Sequence, residues 1–305
     1  MGEINVKKIL SLTAVLLLAA VTASFGFGNA NGFGYYALEI PADVSITIDG
    51  DATDWGWFDP AFVYGPDDCI EIIVGEIPPK SDLDMAIMTA WTGSDRDNKL
   101  YGLVRVTDDT LHVAATEGDS GWLDDDLEIC IDADHSGGPF RADGVITGVN
   151  ASQFTMHVST PGGYETPYGN GTWWMRYNAP AEIHWVDALA EAQIGLNPPS
   201  ATTGTANVVV TYEFSTPIFD EVLLEGEDAS PRHTMTANEI IGLTYQLNEN
   251  DGEDRTHQLS TAAENGAAWD ATFSSEFTLL VIGDYEQQSG TAVNSSSWGM
   301  IKATF

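Results

Sequence analysis

From position 44 onward the hydrophobic residues of this chain recur with a period of two. In Asp126–Asp132, for instance, Leu127, Ile129 and Ile131 alternate with Glu128 and Cys130. Successive side chains of a strand point to opposite faces, so such a pattern marks strands with one face turned to a core. Comparable runs occupy Val44–Ile48, Cys69–Val74, Asp84–Trp91, Lys99–Thr107, Leu111–Ala115, Gly144–Val149, Phe154–Ser159 and Trp173–Tyr177. They continue at Ile183–Val186, Asn207–Ser215, Ile240–Leu247, Glu276–Ile282 and Trp298–Phe305. Gly, Pro, Asn and Asp clusters separate them, as hairpin connections require. Only Ala188–Ile194 reads as a short helix. About a dozen strands with turns between them predict an all-β fold, an antiparallel two-sheet β-sandwich of jelly-roll type with very little helix.

The first residues carry a different signal. Lys7 and Lys8 precede an apolar stretch, Ile9–Val21, and small residues follow in Val21-Thr22-Ala23 and again in Gly28-Asn29-Ala30. The apolar stretch is shorter than the ~20 residues that span a bilayer. This is the layout of a secretory signal peptide, assigned to residues 1–23, and it predicts a secreted (extracellular or periplasmic) protein. The Gly- and Asn-rich residues 24–41 read as a flexible lead-in, and residues 42–305 as one domain, with a split near Asn197 as the alternative.

The chain holds 46 acidic and 11 basic residues, a net charge of −35. Nucleic acids and anionic lipids are held by Lys/Arg patches, so such partners are disfavoured. Solubility alone accounts for the acidity, as does bound Ca²⁺. Cys69 and Cys130 are the two cysteines, either one bridge or two separate buried thiols.

In DADHSGGPFRAD, Asp132, Asp134 and Ser136 precede Gly137 at the alternate spacing of a calcium loop, with Asp143 at the twelfth position. These four form the candidate Ca²⁺ site; an ordinary polar turn uses the same residues. Asn248, Asn250 and Asp251 make a second, weaker set. No H-E-x-x-H, G-x-S-x-G, P-loop or C-x-x-C is present, so no catalytic residues are assigned. The six His are scattered singly.

Several segments, in order, resemble the family 9 carbohydrate-binding modules and their relatives in the DOMON-like group. They are ITIDGDATDWGW (46–57), NKLYGLVRVTDD (98–109), WLDDDLEICIDAD (122–134), VVVTYEFSTPIF (208–219), EIIGLTYQLNENDG (239–252) and the closing SSWGMIKATF. The resemblance implies a non-catalytic sandwich that binds a poly- or oligosaccharide in support of carbohydrate catabolism. The segment between Gly148 and Thr205 is long for the family and is placed to remodel or cover the binding face. In the resembling family a Trp just before the acidic pair stacks on sugar, which implies this role for Trp122, with Asp124 and Asp125 as hydrogen-bonding neighbours. Trp269 is the clamp partner expected from a late loop, and Trp173 and Trp174 form an alternative pair. Trp55, Trp57 and Trp298 read as core. Two other functions compete: an adhesive or structural surface protein on the same sandwich, and a haem-binding relative using Met85, Met88 or Met156.

Overall fold

Twelve strands and several 3₁₀ turns are found among the described residues. The computed structural model describes residues 28–113, 118–140, 150–158, 173–175, 181–252, 254–281 and 283. The expected Asp143, the 144–149 run, Trp298 and the closing strand lie outside the described residues. The strands are β1 (Tyr35–Glu39), β2 (Ile70–Glu71), β3 (Leu83–Trp91), β4 (Leu100–Leu111), β5 (Asp126–Asp132) and β6 (Ser152–His157). They continue with β7 (Trp173–Met175), β8 (Glu191–Asn197), β9 (Thr205–Thr216), β10 (Ile240–Glu249), β11 (His257–Ser260) and β12 (Glu276–Leu280).

Hydrogen bonding links them in the order β7-β6-β5-β10-β12-β1-β3-β4-β9-β8, with β11 on β10 and β2 on β11. This path folds over so that its two arms face one another across one core. Tyr245 of β10 packs its ring 6.4 Å from that of Phe214 on β9 and hydrogen-bonds Thr89 of β3 at 3.0 Å. Tyr212 of β9 donates to the Asp125 carbonyl at 3.3 Å. Leu127, Ile129 and Ile131 of β5 share this core with Val104 and Val106 of β4 and Val208 and Val210 of β9. The inward set on β5 is the one its alternation predicts. Gly102 is required here, because a Cβ would stand 2.3 Å from the Phe214 ring and 2.8 Å from the Tyr245 hydroxyl.

A second apolar cluster lies on the outer face of β3 and β4. Met88, Ala90, Tyr101 and Leu103 point outward there and are covered by Trp55, Phe58 and Phe62, with Val44, Ile46 and Ile48 beside them. The covering segment is pinned by Glu213 of β9. One carboxylate oxygen accepts the Trp55 indole N–H at 2.8 Å, and the other accepts the Asp49 and Gly50 backbone N–H groups at 2.9 Å each. Two motifs far apart in sequence, IDGDATDW and TYEF, are therefore one bonded unit.

Several expectations are corrected. Residues 24–41 contain β1, which runs parallel to both β12 and β3 and is buried between them, so this stretch is not a lead-in. The other ladders are antiparallel. Residues 188–194 are not a helix; a 3₁₀ segment, Ala181–Leu189, ends there and β8 begins at Glu191. Residues 44–48 alternate against the core without entering a sheet. Cys69 and Cys130 are separate buried thiols. Met85 and Met156 are packed in the main core, and Met88 lies in the outer cluster. Among the described residues no helix is long and apolar enough to cross a membrane.

Candidate functional site

The outer face of the β6-β5-β10-β11 arm is unlike the outer face of β3 and β4. Alternation that turns Leu127, Ile129, Phe154 and Met156 inward turns Asp126, Glu128, Gln153, Thr155 and His157 outward. Register then assembles a lattice of polar groups. Asp126 faces His157, Glu128 faces Thr155, and Cys130 faces Gln153. On the other side Gln246 faces Glu128 and Thr244 faces Cys130, while Asn248 pairs with Gln258 of β11.

These side chains are buried and bonded to one another. Gln153 donates to Glu128 Oε2 at 2.8 Å, and Asn248 donates to Asp126 Oδ1 and to Glu128 Oε1. Arg255 donates to Asn248 Oδ1 at 2.9 Å and places its guanidinium 5.0 Å from the centroid of the Trp122 ring, a cation–π distance. His157 Nε2 and Asp124 Oδ2 share a hydrogen bond of 3.0 Å. Three atoms of β6 have no hydrogen-bond partner although buried: Gln153 Oε1, Thr155 Oγ1 and His157 Nδ1. They belong to alternate residues of one strand and so to one face. A buried polar atom left unpaired costs about 1–3 kcal/mol, and native proteins keep few. Three such atoms on one face of one strand are a local concentration of unmet hydrogen bonds.

Aromatic residues bound this face. Trp122 is half-buried beside Arg255 at the β5 N-terminal end. At the other end Phe140 packs on Cys130 and Ala271, and its N–H donates to the carbonyl of Trp269, whose side chain is 47% exposed. Trp122 lies beside Arg255, and Trp269 lies beside Phe140, which packs on Cys130 of β5. Trp173 and Trp174 sit on β7, in register with Met156 and Thr155.

The acidic neighbours of Trp122 are buried. Asp125 is buried and accepts the backbone N–H groups of His112 and Asn250, which ties two loops together. Burial, with Asp108 beside it, holds the Asp125 carboxyl well above the usual carboxylate range. Asp124 is buried against His157. The polar partners that sequence reading missed are Glu128, Gln153, Thr155, His157, Gln246, Asn248 and Arg255. The alternation in SQFTMH would have found those on β6.

The loop expected to hold Ca²⁺ closes on itself. Asp132 accepts from Gly137 N at 2.9 Å and from Ser136 N at 3.2 Å, and Asp134 also accepts from Ser136 N. Burial pushes the Asp132 carboxyl up to about 7, with Asp134 adding to the rise. The residues thus form a turn whose carboxylates hold its own backbone. A different acidic cluster has the spacing to hold a metal ion: Asp82, Glu249 and Asp251, whose ligand atoms all lie within 4.8 Å of one another. Glu249 is 1% exposed, and its Oε1 is buried without a hydrogen-bond partner. Its other oxygen accepts from Thr256 and shares a hydrogen bond with His257. Burial raises the Glu249 and Asp251 carboxyls, Asp109 and Asp82 adding to the effect on Asp251.

Residues 48–275 match the family model described as carbohydrate family 9 binding domain-like. The chain belongs to that family. Membership makes it homologous to the carbohydrate-binding modules of that family. Among solved structures it is similar to a family 9 carbohydrate binding module from Caldicellulosiruptor kristjanssonii in complex with cellotriose. That likeness has a TM-score of 0.50 and 14% identity, covering 86% of this chain and 98% of the other. The glucose complex of a family 9 module from the same organism gives 0.47 and 15%, covering 81% and 93%. A carbohydrate-binding protein described as putative, from Bacteroides uniformis, gives 0.44 and 9%, covering 80% and 97%. At such identities the likeness is one of fold. Comparison with curated proteins gives no match.

Proposed function

We propose that this family 9 domain binds a carbohydrate chain along the outer face of β6-β5-β10-β11, outside the cell, and thereby supports polysaccharide breakdown by other proteins. The observation that carries this reading is the row of unpaired buried atoms on Gln153, Thr155 and His157. Sugar hydroxyls both donate and accept, so they complement a lattice of amides, carboxylates and imidazole. The apolar faces of pyranose rings stack on indole, the role proposed for Trp122 and Trp269. The sequence layout of residues 1–23, which resembles a secretory signal, supports the location.

We also assign Ca²⁺ to Asp82, Glu249 and Asp251. The three ligands are all carboxylates, which suits a hard cation. They come from both arms of the sheet, so a bound ion would clip β3 to β10.

Calorimetric titration with cellotriose, the ligand named for the Caldicellulosiruptor kristjanssonii module, tests the sugar reading. Trp122→Ala should weaken binding at least about tenfold, the equivalent of 1.4 kcal/mol, with the protein still folded. Unfolding of the same variant is measured beside it. Unchanged affinity together with a loss of ~3–5 kcal/mol of stability would make Trp122 a packing residue.

A further inference from the structure

On the other arm, the segment 50–60 arches over β4, β9 and β8 and leaves a cleft of about 630 Å³. Small-molecule sites occupy ~300–1,000 Å³ and combine apolar walls with a few convergent polar groups. Phe58, Leu196 and Val209 supply such walls, and Thr211 and Asn197 supply polar atoms. One end is closed where backbone meets backbone: a Cβ on Gly195 would stand 2.1 Å from the Gly50 carbonyl oxygen.

Arg105 enters this cleft from β4, between Ala86 of β3 and Thr211 of β9. It is half-buried, and its guanidinium makes no hydrogen bond or ion pair with any described residue. Every other described Lys or Arg has a partner. Lys80 and Lys99 pair with carboxylates, Arg96 and Arg232 donate to carbonyls, and Arg255 donates to Asn248. The nearest acid along the same face of β9, Glu213, is engaged by Trp55, Asp49 and Gly50. Asp51, on the cleft wall, accepts from Thr53 of its own turn. Asp84 of β3 attracts the Arg105 charge, but among the described residues no acceptor is hydrogen-bonded to it. Its donors therefore remain available to an anion in the cleft.

We propose that this cleft is a second ligand site, separate from the polar face, and that it takes a uronic-acid sugar. The sugar carboxylate would lie on Arg105 in a forked pair, the geometry guanidinium favours. Its ring would lie against Phe58 and Val209, with hydroxyls reaching Thr211 and Asn197. A single cation in a protein of charge −35 suits a monoanion and disfavours phosphate or sulfate esters.

The test is calorimetric titration at low salt with methyl glucuronide and, as its neutral counterpart, methyl glucoside. Wild-type protein should bind the glucuronide more tightly than the glucoside. Arg105→Gln should weaken glucuronide binding about tenfold or more and leave cellotriose binding unchanged, while Trp122→Ala should leave glucuronide binding intact. The melting curve of Arg105→Gln should still show one cooperative transition, so that lost binding is not lost folding. The proposal is overturned if the wild type shows no preference for glucuronide, or if Arg105→Gln binds it equally well. Cellotriose binding is a separate reading, so failure at this cleft and failure at the polar face are distinguishable.

Discussion

Replacing Asp132 by Asn removes a carboxylate that is fully buried and holds its own turn through Ser136 and Gly137. Burial raises its pKa to about 7, against ~3.9 for an unfolded Asp. The folded state therefore binds this proton more tightly than the unfolded state. The stability contribution is complete below about pH 4 and is lost as pH rises through about 7. At pH 5 two units of that difference remain, and at pH 8 almost none. At ~1.36 kcal/mol per unit, the wild type should lose on the order of 2.7 kcal/mol through this residue between pH 5 and pH 8. Asn cannot ionise, so the variant should lack that part of the slope. It also forfeits one backbone hydrogen bond, a pH-independent offset of ~1 kcal/mol. Urea denaturation of both proteins at pH 5 and pH 8, with chelator present, reads the difference. A gap between variant and wild type that is the same at both pH values would refute the reasoning. If instead the variant removes a response to Ca²⁺, this loop is a metal site after all.

Three further outcomes follow from the packing and the acidic cluster. Gly102→Ala, with its Cβ forced against Phe214 and Tyr245, should cost at least ~1–3 kcal/mol, and an unchanged melting temperature would show that the arms are not clamped there. Glu213→Ala strands three donors, of which the Gly50 N–H and the Trp55 indole lie within buried residues, and should cost about 3–5 kcal/mol in denaturant unfolding. A loss under ~1 kcal/mol would contradict the pinning role. Ca²⁺ should raise the melting temperature by mass action, and Asp251→Asn should abolish the rise; a variant that responds as the wild type does would move the ion elsewhere.

Much of the fold is legible in the chain because strand alternation is local. The pattern in Asp126–Asp132 assigns Leu127, Ile129 and Ile131 to the core, and the structure agrees. Strand β1 escaped because Tyr-Tyr-Ala-Leu-Glu is enclosed between two parallel neighbours, and such strands do not alternate cleanly. The Gly- and Asn-rich residues ahead of it made the composition look like a linker. The site was half legible. Trp122 entered through the resemblance, whereas the partners of Glu128 arrive from β6 and β10 through register, which no short motif encodes. The metal cluster shows the same limit. Loop spacing pointed to Asp132 and Asp134, but Asp82 and Asp251 are brought together only by the pairing of distant strands.

The central claim is that the polar face of β6-β5-β10-β11 is where carbohydrate binds. Thr155→Val tests it most directly, because it deletes one unpaired buried hydroxyl at nearly constant shape. In the free protein that change should leave stability the same or higher, since an unsatisfied polar atom is removed. Calorimetry with cellotriose should then show affinity falling about fivefold or more, the share of one hydrogen bond of ~1 kcal/mol. Reduced stability with affinity unchanged would contradict the account, and the lattice would be structural polarity alone.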